Sequence, residues 1–138
     1  GLHIRGVPKL PTITEKLDEG DYSVVGFEDK LFIERKSVND LYGTMFRGRE
    51  RFERELERTM GKQEKKFLVI ESSPYLFLKY MENHDKMKMY NAAIATFSSW
   101  ALKYDLDIRW CKTREGSAEF IAKEALKLLI KGESDENI

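Results

Sequence analysis

The short apolar run FLVIES, residues 67–72, is the segment that most limits how this chain can fold. A continuous apolar run of this length is typical of a strand that is buried on both faces, rather than one with a face in water. Such a strand lies at the centre of a sheet. The run therefore predicts an α/β fold whose central strands are parallel and whose sheet is covered by helices.

Three shorter strands are expected before this run, and they are separated by the turns DEGD and GFEDK. Short turns of this kind connect antiparallel neighbours. In chain order the predicted elements are strands at 12–18, 22–27 and 30–35, helices from Ser37 and over 49–60, the strand 67–72, helices from Pro74 and over 88–104, a strand at 106–112 and a helix at 117–131. The order predicts an α/β mixed sheet, antiparallel at one end and parallel in its middle, flanked by helices.

A chain of 138 residues is most simply one domain, and we predict that this domain spans residues 1–132, with a frayed tail at 133–138. Gly132 is the expected end of the last helix, since glycine favours helix termini. The single cysteine, Cys111, excludes a disulfide framework and a cysteine-based zinc site.

The charges balance, with 24 basic and 24 acidic residues, so an affinity for nucleic acid requires a local patch. No apolar run approaches the roughly 20 residues of a membrane span, and no signal peptide is recognisable. We therefore expect a cytoplasmic protein that does not interact with membranes.

The charged residues Glu34 and Lys36 directly follow the apolar residues LFI. Two residues apart in a strand, they share a face and lie roughly 7 Å apart along the chain. Asp21 falls opposite the same end if the two strands pair as a hairpin. Two carboxylates and a lysine around a Mg²⁺ ion suit phosphodiester hydrolysis. The alternative is an ordinary hairpin end, with a salt bridge from Glu34 to Lys36 or Arg35.

Two further charged residues near this strand end have a structural alternative. A regular strand places Arg35 on the face opposite to Glu34, either as a supporting residue or as a surface residue. Asp40 is the last residue of Ser37-Val-Asn-Asp, a pattern that caps helices, so it is either a cap residue or part of the site.

Four arginines, spaced four, three and four apart, form a stripe on the second helix. Phe52, Leu56 and Met60 lie on the opposite face, which we expect to be buried in the core. This stripe consists of Arg47, Arg51, Arg54 and Arg58. One interpretation is a row of contacts to nucleic-acid phosphates. The alternative is a solvated face whose arginines exchange ion pairs with the flanking glutamates, which contributes little to stability.

The segment from Tyr75 to Trp100 is rich in aromatic residues and methionine. Seven of its residues offer more apolar surface than one small sheet covers: Tyr80, Met81, Met87, Met89, Tyr90, Phe97 and Trp100. We therefore expect a homodimer.

The turn Gly20-Asp21-Tyr22, the strand end Ile33-Glu34-Arg35-Lys36 and the following Asp40 resemble the paired signature of the XPF-type structure-specific endonucleases. The order of the later elements is also similar to that family, over nearly the whole chain. The resemblance implies a restriction-endonuclease-like fold. It also implies that Asp21 and Glu34 are metal ligands, that Lys36 is the catalytic lysine and that Arg35 and Asp40 support the site.

Glu71, at the end of the central strand, has a corresponding position in the family but no assigned role. An acidic motif that the family carries upstream of the GDY turn has no counterpart between Gly1 and Asp21, so either it precedes Gly1 or this protein lacks one acidic group. The family's accompanying domains are not found in this sequence. We therefore expect a stand-alone phage or prophage version that acts in the host cytoplasm.

The resemblance implies a Mg²⁺- or Mn²⁺-dependent endonuclease that cleaves branched, flap or junction DNA during repair, recombination or phage replication. Two alternatives stay open: a catalytically silent DNA-binding or dimer-partner module of the same fold, and a restriction-type nuclease that recognises a duplex sequence.

Overall fold

The computed structural model describes the backbone of residues 13–15, 22–24 and 29–136 and the side chains of residues 29–132. The strands are β1 Ile13–Glu15, β2 Tyr22–Val24, β3 Leu31–Lys36, β4 Lys65–Ile70 and β5 Asp107–Trp110. The helices are α1 Val38–Phe46, α2 Arg49–Thr59, α3 Pro74–Asn83, α4 Tyr90–Tyr104 and α5 Arg114–Glu136, with a 3₁₀ turn at Met87–Met89.

The five strands form one sheet in the order β1-β2-β3-β4-β5. The strand β2 is antiparallel to both β1 and β3, whereas β3, β4 and β5 are mutually parallel. The predicted mixed sheet is therefore confirmed, and its parallel part extends from the middle to the β5 edge.

Both faces of the two central strands are buried, as the apolar run predicted. Phe32, Leu68 and Ile70 belong to a core that α1, α2, α3 and α4 cover. On the opposite face of the sheet, Ile33 and Val69 pack against α5. The sheet is thus a layer between four helices on one side and one helix on the other.

Serine side chains cap two of the helices at the predicted positions. The hydroxyl of Ser37 accepts a hydrogen bond from the amide of Asp40 at 3.3 Å and begins α1. The hydroxyl of Ser73 accepts from the amide of Leu76 at 3.1 Å, and Pro74 is the first residue of α3. These caps satisfy amides that have no partner within the helix, which explains why the helices begin there.

Several predicted element boundaries differ from the structure. The last strand, predicted at 106–112, spans Asp107–Trp110, and the last helix, predicted at 117–131, spans Arg114–Glu136. The helix end predicted at Gly132 is therefore wrong, whereas the domain bounds 1–132 stay a prediction. A single glycine costs only about 1 kcal/mol in a helix, which does not end one. The strand β4 begins at Lys65 because Lys65 pairs with Leu31 of β3, and it ends at Ile70. Of the strands predicted at 12–18 and 22–27, only residues 13–15 and 22–24 are among the described residues.

The aromatic and methionine-rich segment is mostly part of the core. Met81, Phe97 and Trp100 are buried, and Tyr80 and Tyr90 are half-buried against the same cluster. Met87 is 43% exposed, so most but not all of the apolar surface from which the homodimer was predicted is covered within the chain. No helix in the described part of the chain is long and apolar enough to cross a membrane.

Candidate active site

Glu34 and Lys36 lie on one face of β3, at the strand's carboxyl end. The ammonium group of Lys36 is 3.5 Å from Oε1 of Glu34. The side chain of Glu34 is 7% exposed, whereas that of Lys36 is 23% exposed. The predicted shared face is therefore present, and so is the ion pair that was its structural alternative.

The surroundings of Glu34 are unusual for a carboxylate. It follows Phe32 on the face that the four helices cover, and its neighbour on β4 is Leu68. Burying a carboxylate among apolar side chains costs free energy unless charged or hydrogen-bonding groups compensate it. Lys36 supplies such a charge from the side that is open to solvent. The pair therefore offers a buried acid with a more accessible lysine beside it.

Arg35 points to the opposite face, as the strand's alternation predicted, and forms an ion pair with Glu71. The backbone amide of Glu71 also donates to the carbonyl of Lys36 at 2.9 Å. The sequence left the role of Glu71 undefined. The available signal was its position, because Glu71 directly follows β4, and parallel neighbours bring their carboxyl ends to the same edge of a sheet.

Asp40 lies in the first turn of α1, immediately after β3, and its side chain is exposed. Its amide takes part in the Ser37 cap. A carboxylate in the first turn also interacts favourably with the helix dipole. Asp40 thus takes part in the cap of α1, which was the structural alternative to a role in the site.

Asp21, the second predicted metal ligand, lies outside the described residues. The next residue, Tyr22, pairs with Ile33, which directly precedes Glu34. Within the described residues, no group of three or more histidine, cysteine, aspartate or glutamate side chains is placed to hold a metal ion. Glu34 fits such an ion in part, because a carboxylate oxygen is the ligand type that Mg²⁺ prefers.

The predicted arginine stripe is exposed at all four positions: Arg47, Arg51, Arg54 and Arg58. Arg47 is the C-cap residue of α1 and not part of α2. Arg54 lies 4.0 Å from Glu50, and both side chains are mostly exposed. Phe52 and Leu56 are buried as predicted. The burial predicted for Met60 is wrong, because α2 ends at Thr59 and Met60 adopts an extended conformation that leaves it exposed.

The fold is that of an α/β domain with a mixed sheet covered by helices on both faces, and the carboxyl end of its strand β3 carries a buried acid beside a lysine. Residues 6–124 match the model of the ERCC4 domain, and the chain belongs to the ERCC4 domain family. This match confirms the predicted resemblance to XPF-type nuclease domains, while the phage origin stays a prediction.

Two solved structures have a similar fold. XPF from Aeropyrum pernix shares 22% sequence identity at a TM-score of 0.63, over 80% of this chain and 51% of that one. The structure of XPF from Aeropyrum pernix in complex with DNA also shares 22% identity, at a TM-score of 0.61, over 86% and 52% of the two chains. The chain thus spans about half the length of these structures. No curated protein shows significant sequence similarity to it.

Proposed function

We propose that this chain is a metal-dependent DNA endonuclease that hydrolyses phosphodiester bonds. The observation that carries the proposal is the pair formed by Glu34 and Lys36, which share a face at the carboxyl end of a central strand. Ligand sites of α/β sheets commonly lie at the carboxyl ends of their strands. Membership of the ERCC4 domain family supports the same activity.

In this proposal Glu34 and Asp21 hold a Mg²⁺ or Mn²⁺ ion. The pairing of Tyr22 with Ile33 supports this, because it places the residue after Asp21 beside the residue before Glu34. A bound divalent ion activates water and stabilises negative charge on a phosphate. Glu34 suits the ligand role because its side chain is buried and so has little freedom to lose on binding.

Lys36 is the proposed catalytic lysine. Its ammonium group carries three hydrogen-bond donors, and it is more accessible than Glu34. From that position it can orient the attacking water or neutralise charge that develops on the phosphate oxygens. Arg35 supports the site from the other face through Glu71, and Asp40 is proposed to support it from the first turn of α1.

The proposed substrate is branched, flap or junction DNA, processed in the cytoplasm during repair or recombination. The similar XPF structure that contains DNA supports DNA as the partner. The exposed stripe is the proposed set of phosphate contacts, with Arg51, Arg54 and Arg58 on α2 and Arg47 at the C-cap of α1. Phosphate contacts of this kind contribute affinity without sequence information.

A homodimer is also proposed, now on a different surface. The exposed side of α4 carries Ile94, Ala95, Ser98, Ser99 and Leu102, all of them uncharged, and Leu102 is 88% exposed. Small and apolar residues on an outer helix face are typical of an interface between helices. Light scattering should give a dimer mass for the wild type and a monomer mass for Leu102→Glu. A monomeric wild type would contradict this assembly.

Titration calorimetry with Mn²⁺ tests the metal site directly. The wild type should bind Mn²⁺ with a stoichiometry of at least one, and Glu34→Gln should lose that binding. The matched control is Glu57→Gln, an exposed carboxylate on α2, which should bind as the wild type does. If the wild type binds DNA but no Mn²⁺, the chain is a catalytically silent DNA-binding module.

A further inference from the structure

Three lysines of α5 form a row on the outer side of the helix. Lys123, Lys127 and Lys131 follow one another at intervals of four residues, and all three are exposed. Four residues advance a helix by about 6 Å, so the row extends about 12 Å along the axis. Nothing in the proposed cleavage site uses these lysines.

A buried carboxylate connects this row to the sheet. Glu124 is 6% exposed, and its oxygens lie 3.2 Å from the ammonium group of Lys127 and 3.7 Å from that of Lys65. Lys65 is the first residue of β4. Glu124 thus holds two ammonium groups together at the surface, one from α5 and one from the amino end of a central strand.

A second carboxylate, Glu64, pairs with Lys30, the residue just before β3. The ammonium group of Lys30 is 2.8 Å from Glu64, and the amide of Lys65 donates to the carbonyl of Lys30. Hydrogen bonding and charge from Lys30 lower the pKa of Glu64, and the charges of Lys131 and Lys65 lower it further. Lys131 follows Lys127 by about one turn of α5 and so lies on the same side of the helix.

The resulting lysine patch consists of Lys30, Lys65, Lys123, Lys127 and Lys131. Three of these ammonium groups are paired with two carboxylates, Lys30 with Glu64 and both Lys65 and Lys127 with Glu124. Glu119, one turn before Lys123 on α5, is a third carboxylate beside the row. Among the described side chains the five lysines still outnumber these three carboxylates, so the patch is basic. The helix α2 differs, because its arginines 49, 51, 54 and 58 are matched by glutamates 50, 53, 55 and 57. A chain without net charge thus concentrates positive charge beside α5, where the sequence offered only scattered lysines.

We propose that the lysine patch binds the phosphate backbone of DNA at a surface separate from the cleavage site. The inference rests on the proposed function only in taking DNA as the polyanion. The patch lies at the amino ends of β3 and β4, whereas Glu34 and Lys36 lie at the carboxyl end of β3. Lys30 and Lys36 are six residues apart, which is about 20 Å along a strand. In this proposal the patch therefore binds one region of the DNA while another region lies at the cleavage site.

DNA-binding measurements in EDTA test the patch without cleavage. The affinity of the full chain for a flap DNA is measured from 50 to 300 mM salt for the wild type and for the Lys123→Gln, Lys127→Gln, Lys131→Gln triple variant. Each lost phosphate contact lowers the slope of log affinity against log salt by about 0.9. We expect the slope to fall by about 2 to 3 and the affinity at 150 mM salt to fall at least about tenfold.

Two further variants keep the test sharp. Lys123→Gln with Lys131→Gln leaves both partners of Glu124 in place and should lower the slope by about 2. The charge-matched control replaces Lys79, Lys88 and Lys103, exposed lysines of α3, the 3₁₀ turn and α4, and should keep the wild-type slope. Equal slopes for the patch and control variants would overturn the proposal.

A third outcome points to another polyanion. If the triple variant loses binding to vesicles with phosphatidylserine but keeps its DNA affinity, the patch binds membranes and the proposal is wrong. Failure of the proposed nuclease appears separately, because a wild type that shows no cleavage with Mg²⁺ or Mn²⁺ can still lose its DNA salt dependence when the patch is neutralised.

Discussion

The guanidinium group of Arg35 forms an ion pair with the carboxylate of Glu71, between the ends of two parallel strands and on the face opposite to Glu34 and Lys36. The amide of Glu71 donates to the carbonyl of Lys36. Two contacts therefore join the end of β3 to Glu71: a backbone hydrogen bond from its amide and an ion pair between side chains that involves its carboxylate.

Glu71→Gln should lower the free energy of unfolding by about 1–3 kcal/mol, because it removes the carboxylate charge that faces a largely buried guanidinium. Urea denaturation of the single variants and of the double variant with Arg35→Gln should give a coupling energy of about 0.5–3 kcal/mol. The control is Glu82→Gln, which breaks an exposed pair with Lys79 and should cost less than about 1 kcal/mol. Additive effects of Glu71→Gln and Arg35→Gln would argue against the pair.

Glu53 has a similar structural role on α2. Its Oε2 accepts a hydrogen bond from the indole of Trp100 at 3.0 Å, and Trp100 is fully buried. Glu53→Ala should cost about 1–3 kcal/mol, because the buried indole N–H loses its acceptor. It should also shift the tryptophan emission. Glu57→Ala, on the exposed side of the same helix, should change the free energy of unfolding by no more than about 0.5 kcal/mol and should leave the tryptophan emission unchanged.

Replacing two of the glycines with alanine should change the stability of the fold in opposite directions. A Cβ at Gly116 would collide with the backbone carbonyl of Cys111, so Gly116→Ala should destabilise the fold by about 1–3 kcal/mol. At Gly43, inside α1, the nearest atom is a side-chain nitrogen of Arg47 at 3.7 Å. Gly43→Ala should therefore stabilise by about 0.5–1 kcal/mol. Thermal denaturation compares the two, and a stabilised Gly116→Ala would refute the close approach.

Burial raises the pKa of the Cys111 thiol, and the charge of Glu71 adds to that effect against the opposing charge of Arg109. The folded chain therefore holds the thiol proton more tightly than the unfolded chain. Its stability should fall as the pH rises above the ordinary thiol pKa of about 8.5. At pH 8, Ellman's reagent should react more slowly with the folded chain than with the chain in urea. Equal rates would contradict a protected thiol.

Local patterns in the sequence were sufficient for much of the fold. The alternation of β3 placed Glu34 and Lys36 on one face and Arg35 on the other, because successive strand residues point to opposite sides. The serines at positions 37 and 73 marked the starts of two helices, since each cap depends on only three or four neighbouring residues.

Long-range contacts were not predictable in the same way. The pair of Arg35 and Glu71 depends on the parallel register of β3 and β4, and the lysine patch depends on how α5 crosses the sheet. Neither arrangement follows from local spacing. The end of α5 was missed because a single glycine costs only about 1 kcal/mol in a helix, which is too little to end it at Gly132.

Cleavage of an end-labelled flap DNA with Mg²⁺, Mn²⁺ or EDTA tests the central claim most directly. The wild type should cleave only with a divalent ion, and Asp21→Asn and Lys36→Ala should each lower the cleavage rate at least about 100-fold. Lys79→Ala, an exposed lysine on α3, is the matched control and should cleave as the wild type does. Cleavage in EDTA, or full activity of both variants, would contradict the proposed site.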